Sequence, residues 1–163
     1  MNAIKLLKQQ HDEVKELLEK LEGTSDTALK TRSALFAKVA DALAGHAEIE
    51  ERIFYPSIQA PNTEAMLSEG LEEHLSVKRL IADLLELAPD DETFIAKCTV
   101  LREQVEHHID EEEGELFKEA KKLLKSSELD EMGAKMEKMY DFVLQNSPRM
   151  KVPAQTDKAA HLP

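Results

Sequence analysis

Apolar residues recur at steps of three and four along most of this chain, the spacing of helices that bury one face. The pattern predicts a first helix over 2–22, stopped at Gly23. A second begins near Asp26 and Thr27 as capping residues and ends around Tyr55-Pro56. The turn QAPN at 59–62 leads to a third helix over 63–87, and APDD at 88–91 breaks the chain again. Asp91 is the expected cap of a fourth helix that reaches residue 125, and Ser126-Ser127 separate a shorter fifth over 128–146. The remaining stretch, 147–163, has no periodicity and reads as a mobile, disordered tail. Long amphipathic helices with short connections predict an all-α, up-down-up-down four-helix bundle with a short fifth C-terminal helix, one domain over 1–146.

Tracing the inward stripes exposes an anomaly. In the first helix the stripe is Leu7, His11, Val14, Leu18 and Leu21; in the third it is Leu67, Leu71, His74, Val77, Ile81 and Leu84. The second runs Leu35, Val39, Leu43, His46, Glu50, Ile53, and the fourth Phe94, Cys98, Leu101, Val105, His108, Glu112, Leu116. Each stripe is apolar except for one His, joined in two helices by a Glu four residues later. His107 falls on the row of Lys97, Gln104 and Glu111, so it is expected to face water while His108 faces inward.

The chain also repeats itself. HDEVKELLEKL from residue 11 aligns with HLSVKRLIADL from residue 74, and the second helix matches the fourth, taking His46 to His108 and Glu50 to Glu112. Two similar hairpins packed face to face make a bundle with a pseudo-twofold axis. What one half holds at its centre, the other is expected to hold as well.

Composition narrows the partners. With 21 Lys and Arg against 33 Asp and Glu, the net charge is −12. Such a surface is repelled by phosphate backbones and anionic lipid, which argues against nucleic acid and membranes as partners. The N-terminus reaches charged residues too early for a signal peptide and no later stretch spans a membrane. The single cysteine, Cys98, excludes an internal disulfide framework and fits a reducing cytoplasm.

Buried carboxylates without partners are disfavoured by several kcal/mol, and no Arg or Lys stands on the four inward stripes to neutralise Glu50 and Glu112. A metal cation does so. Residues four apart on a helix have Cβ atoms about 5–6 Å apart, so each His-x-x-x-Glu offers an imidazole and a carboxylate to one centre. Two copies imply two metals with the carboxylates placed to bridge them. Mixed imidazole and carboxylate donors suit iron, manganese or zinc, and the lack of thiolates argues against a closed structural zinc site.

Through His11, HAEIEERIFYP from residue 46, His74 and HIDEEEGELF from residue 108, the chain resembles the hemerythrin-like, or HHE cation-binding, family over about residues 5 to 125. The resemblance implies a four-helix bundle with a non-haem di-iron centre, oxo- or hydroxo-bridged. His11, His46, His74 and His108 are then terminal ligands, and Glu50 and Glu112 bridge. Two departures from the oxygen carriers stand out. Their third helix offers a second His four residues away, where this chain has Gly70 and Lys78. Their last carboxylate is an Asp five residues after its His, where this chain has Glu112 at four and Glu113 at five. The repeat favours Glu112. A ligand set one short predicts open positions at the metal, suited to reaction with oxygen, peroxide or nitric oxide, possessing at most weak peroxidase- or oxidase-type activity. Sensing or storage of iron is the alternative function.

Other features carry less. The acidic run DEEEGE at 110–115 reads as a solvated face except at Glu112, and Cys98 as core. Met132, Met136 and Met139 form a stripe with Leu129 and Val143 that packs the fifth helix on the bundle. Tyr55 is a weaker candidate for an extra ligand or radical site, and His161 is assigned no role.

Overall fold

The computed structural model describes residues 1–163. Helix α1 spans Ala3–Glu22 and α2 spans Leu29–Ile49; a π turn at Glu50–Phe54 carries α2 into the short α3, Tyr55–Ser57. Helix α4 is Glu64–Glu86 and α5 is Phe94–Glu111; a second π turn at Glu112–Leu116 continues α5 into α6, Phe117–Leu123. Helix α7, Ser126–Leu144, follows, and Pro148–Gln155 form a 3-10 helix. The architecture is the expected all-α bundle, two hairpins and a fifth helix packed on α1 and α2. No helix is long and apolar enough to cross a membrane.

The buried apolar side chains divide into two clusters. One joins Ile4, Leu7, Phe54, Tyr55, Leu67, Phe117 and Met136. The other joins Val14, Leu18, Val39, Ile81, Leu101, Val105 and Cys98, whose thiol is pushed up to about 12 by burial. The polar layer lies between them. At the far end of the second cluster Arg32 is buried and closes the bundle. Its guanidinium donates to the Thr24 hydroxyl at 2.9 Å, the Thr24 carbonyl at 3.0 Å and the Pro89 carbonyl at 2.8 Å, tying the two interhelical loops together.

Three local expectations give way. Asp26 and Thr27 do not cap α2, whose first residue is preceded by Ala28 with no side-chain cap; Asp26 pairs with Arg32 instead. Ile53 is only partly buried, while Phe54 and Tyr55 are fully enclosed. The extra residue in the π turn shifts the helix phase, so a stripe extrapolated from before Glu50 misses the face buried after it. The stretch 147–163 is not free of the bundle either. Val152 is buried, Arg149 binds Asp41 of α2 through its backbone N–H at 3.0 Å and its guanidinium at 2.6 Å, and Arg79 of α4 donates to the carbonyls of Thr156 and Asp157. Partners supplied by other helices order a segment that periodicity alone leaves blank.

Candidate metal centre

Four helices each bring one imidazole to the same layer. His11 comes from α1, His46 from α2, His74 from α4 and His108 from α5, and the π turns begin on Glu50 and Glu112. Donor atoms of His11, His46, Glu50 and Glu112 all lie within 4.8 Å of one another, and so do those of Glu50, His74, His108 and Glu112. The two carboxylates belong to both groups, the arrangement a bridged pair of cations requires. The expected contrast between the neighbouring histidines of α5 is present: the His108 side chain is 9% exposed and that of His107 65%.

Each imidazole is oriented from behind. His11 Nδ1 donates to Glu113 at 2.7 Å, His46 Nδ1 to the Gln10 amide oxygen at 2.7 Å, His74 Nδ1 to Glu51 at 2.8 Å and His108 Nδ1 to Glu73 at 2.8 Å. A carboxylate or amide oxygen only accepts, so Nδ1 carries the proton in each ring. In the neutral ring Nε2 then presents its lone pair to the centre, the tautomer a cation selects.

The inward atoms do not satisfy one another. His74 Nε2 faces His108 Nε2 at 3.2 Å, His46 Nε2 and His74 Nε2 each stand 3.0 Å from a Glu50 oxygen, and His108 Nε2 is 2.6 Å from Glu112. Both oxygens of Glu50, Glu112 Oε2, His11 Nε2 and His46 Nε2 are buried without a hydrogen-bond partner. Only protons or cations reconcile facing lone pairs with carboxylates at this depth. In the metal-free chain protons do it: burial pulls His108 down, but Glu112, Glu50 and Glu73 around it together outweigh burial and hold the imidazole well above its ordinary value. Burial likewise opposes ionisation of Glu50, yet His46, His108 and His74 keep its pKa well below the usual range. The donor set fits cations in place of those protons.

The sequence pattern marks Tyr55 only as a weaker candidate and leaves Lys78 off the inward stripe. Tyr55, fully buried, donates its hydroxyl to Glu112 at 2.6 Å, and its ring stacks on His74 with centroids 5.5 Å apart. Burial, then the charges of Glu112 and Glu50, push the phenol well above its ordinary pKa, so it stays a donor. A Cβ at Gly70 would lie 2.8 Å from that hydroxyl. Tyr55 therefore takes the room that a side chain at position 70 would need. Lys78, absent from the inward stripe as traced, is buried and reaches both oxygens of Glu51 at 3.1 Å. Its long stem lets an off-stripe position deliver charge behind His74.

These features define a helical bundle built around a cation site. Residues 2–120 match the model of the hemerythrin HHE cation binding domain, and the chain belongs to that family. It is 25% identical over 131 residues to a protein of Nostoc sp. described as a DNA nickase; the match takes in 80% of this chain but only 37% of that protein. The fold is shared with a crystal structure of a hemerythrin HHE cation binding domain-containing protein from Mycobacterium kansasii, with TM-score 0.81 and 23% identity over 96% of this chain and 94% of that one.

Proposed function

We propose that the bundle holds two iron ions, one at His11 and His46 and one at His74 and His108, bridged by Glu50 and Glu112, and that it binds or reduces small oxidants or gases. Bound iron would supply a redox couple and Lewis acidity. The observation that carries the substrate class is a cavity of about 40 Å³ bounded by all four imidazoles and by apolar walls that include Val14, Leu43, Val77, Ile81 and Val105. One water occupies roughly 10–15 Å³ on this measure, so the space suits oxygen, peroxide or nitric oxide and excludes larger organic substrates. The apolar walls line the centre, Tyr55 donates its hydroxyl to the Glu112 carboxylate, and the four outer acceptors fix the imidazoles. With Tyr55 and Lys78 in place of a further His, lasting oxygen carriage is not expected. The buried lone Cys98 suits the cytoplasm.

Iron-supplemented protein should contain two iron per chain and show near-ultraviolet charge-transfer bands of an oxo- or hydroxo-bridged pair. The reduced form should oxidise in air without a lasting oxy spectrum. Zinc alone at one per chain, undisplaced by iron, would overturn this reading. A second reading, an iron- or oxygen-sensing module without turnover, draws support from the Nostoc relative, in which the matched region is a minor part of a longer chain. Repeated turnover of peroxide supports the first, and a single stoichiometric oxidation supports the second.

A further inference from the structure

The second hairpin carries a polar cluster outside the centre. His107 Nε2 lies 3.0 Å from Glu111 Oε1 and 3.4 Å from Glu73 Oε2, and the three residues bring their donor atoms within 4.8 Å of one another. Glu73 looks both ways. Its other oxygen, Oε1, accepts from His108 Nδ1 at 2.8 Å, so a single carboxylate joins the outer cluster to an inner imidazole.

A cleft of about 480 Å³ opens beside this cluster. Its mouth carries Glu69, Glu73, Glu111 and Glu115 against a single cation, Lys118, and its lining continues inward to Tyr55, His108 and Glu112. Glu112 is nine-tenths buried and more, with an oxygen that lacks any hydrogen-bond partner. The cleft thus runs from acidic surface to buried residues of the centre. A solvated helix face does not require that continuity.

The first hairpin shows what the same positions look like without such a feature. Glu73, His107 and Glu111 correspond by the internal repeat to Gln10, Gly45 and Ile49. There α7 covers the helices: a Cβ at Gly45 would lie 2.9 Å from the Tyr140 ring. On one face of the pseudo-symmetric bundle an added helix narrows the cleft to about 340 Å³ beside Gln10 and His46, and the matching face carries the larger cleft, lined with carboxylates.

We propose that Glu73, His107 and Glu111 form an outer divalent-cation site, and that the acidic cleft behind it is the inlet through which ferrous ion reaches the buried centre. A His and two carboxylates suit a first-row divalent cation held loosely, with water completing its shell. Negative charge focused in a cleft raises the local cation concentration and the association rate. The inlet role rests on the reading that the inner cluster takes iron; the outer site does not.

Manganese provides the test. Iron-loaded wild-type protein, titrated with Mn²⁺ at low ionic strength and followed by the electron paramagnetic resonance of free Mn²⁺, should hold one Mn²⁺ per chain beyond its iron. The double variant His107→Ala, Glu111→Gln should lose it. Metal-free double variant should take up Fe²⁺ roughly tenfold more slowly than wild type, yet reach the same final iron content, and added salt should narrow the gap. Absence of extra Mn²⁺ in the wild type overturns the outer site. Retention of that Mn²⁺ by the double variant overturns the outer site too, and equal Fe²⁺ uptake rates overturn the inlet. If the chain holds no inner iron, the proposed function and the inlet both fail, while Mn²⁺ bound by wild type and lost in the double variant still establishes the outer site.

Discussion

The two hairpins hold matching histidines and glutamates in unmatched surroundings. His11 stacks on Phe117 with centroids 5.9 Å apart, and His74 stacks on Tyr55, its counterpart in the repeat, at 5.5 Å. One ring differs from the other by a hydroxyl, and that hydroxyl is spent on Glu112. Behind His46 stands the neutral Gln10, and behind His108 the charged Glu73. Glu113 behind His11 remains 31% exposed, whereas Glu51 behind His74 is 14% exposed and paired with Lys78. Duplication explains the inner histidines and glutamates; the differences around them make the surroundings of the two halves chemically unequal.

The largest effect is expected where register decides everything. His108→Ala removes an inner donor and leaves Glu112 without its nearest cation partner, which should cost about 3 kcal/mol or more and empty at least one metal position. His107→Ala, one residue away and exposed, should keep its equilibrium iron content and change stability by no more than about 0.5 kcal/mol. Iron analysis and thermal melts of the two variants check both statements, and the reverse ranking would mean that α5 is turned by one residue.

Lys78 and its counterpart Lys15 sharpen the comparison next. Lys78→Met leaves Glu51 charged behind His74, and Glu51 is 14% exposed, so the cost should be about 2 kcal/mol, below that of a deeply buried broken pair. Lys15 is half-exposed, and Lys15→Met should stay within about 0.5 kcal/mol. Denaturant midpoints of the two variants decide it; equal losses would remove this asymmetry.

Tyr55→Phe gives His74 the same stacked ring that His11 has. It should cost about 1.5 kcal/mol for the lost hydrogen bond to a carboxylate and bring the affinities of the two metal positions closer together. Stepwise metal titrations that stay equally separated in wild type and variant would contradict this.

The smallest expected effect is a drift with pH in metal-free protein. His108 has a folded pKa well above its ordinary 6.5, so its stabilisation is complete below pH 6.5 and is lost as pH rises through the folded value. Glu50 has a folded pKa well below its ordinary 4.5, so its contribution is present above pH 4.5 and lost as pH falls through the folded value. Melting temperature after chelation should therefore decline on both sides of the window between 4.5 and 6.5. Metal should restore the alkaline side most, because a cation there no longer competes with protons. A flat alkaline limb would dismiss the proton-held state of the second hairpin.

Much of this was legible in the chain. The stripes through Leu7, His11 and Val14 and through Leu67, Leu71 and His74 fixed the helix faces, because straight helices keep one phase. The six inner residues were legible because the repeat displays each twice. Tyr55 was not placed, since its inward turn depends on the π turn that precedes it. Lys78 was not placed, since a long side chain reaches where its Cα does not point. The ordering of 148–155 depends on Asp41 and on the packing of Val152, contacts that no local pattern records.

Those π turns have a further consequence. Each is a helix carrying one surplus residue at a fixed address, immediately after the last inner ligand, with the Glu50 carbonyl bonded to Tyr55 N–H and the Glu112 carbonyl to Phe117 N–H. If the turn relaxed to ordinary α geometry with that residue retained, everything downstream would rotate by about 100°. The ring stacked on His74 or His11 would swing away although every ligand remained in the sequence. A search for relatives by ligand spacing alone would accept such a chain, yet its histidines would have lost the walls that aim them.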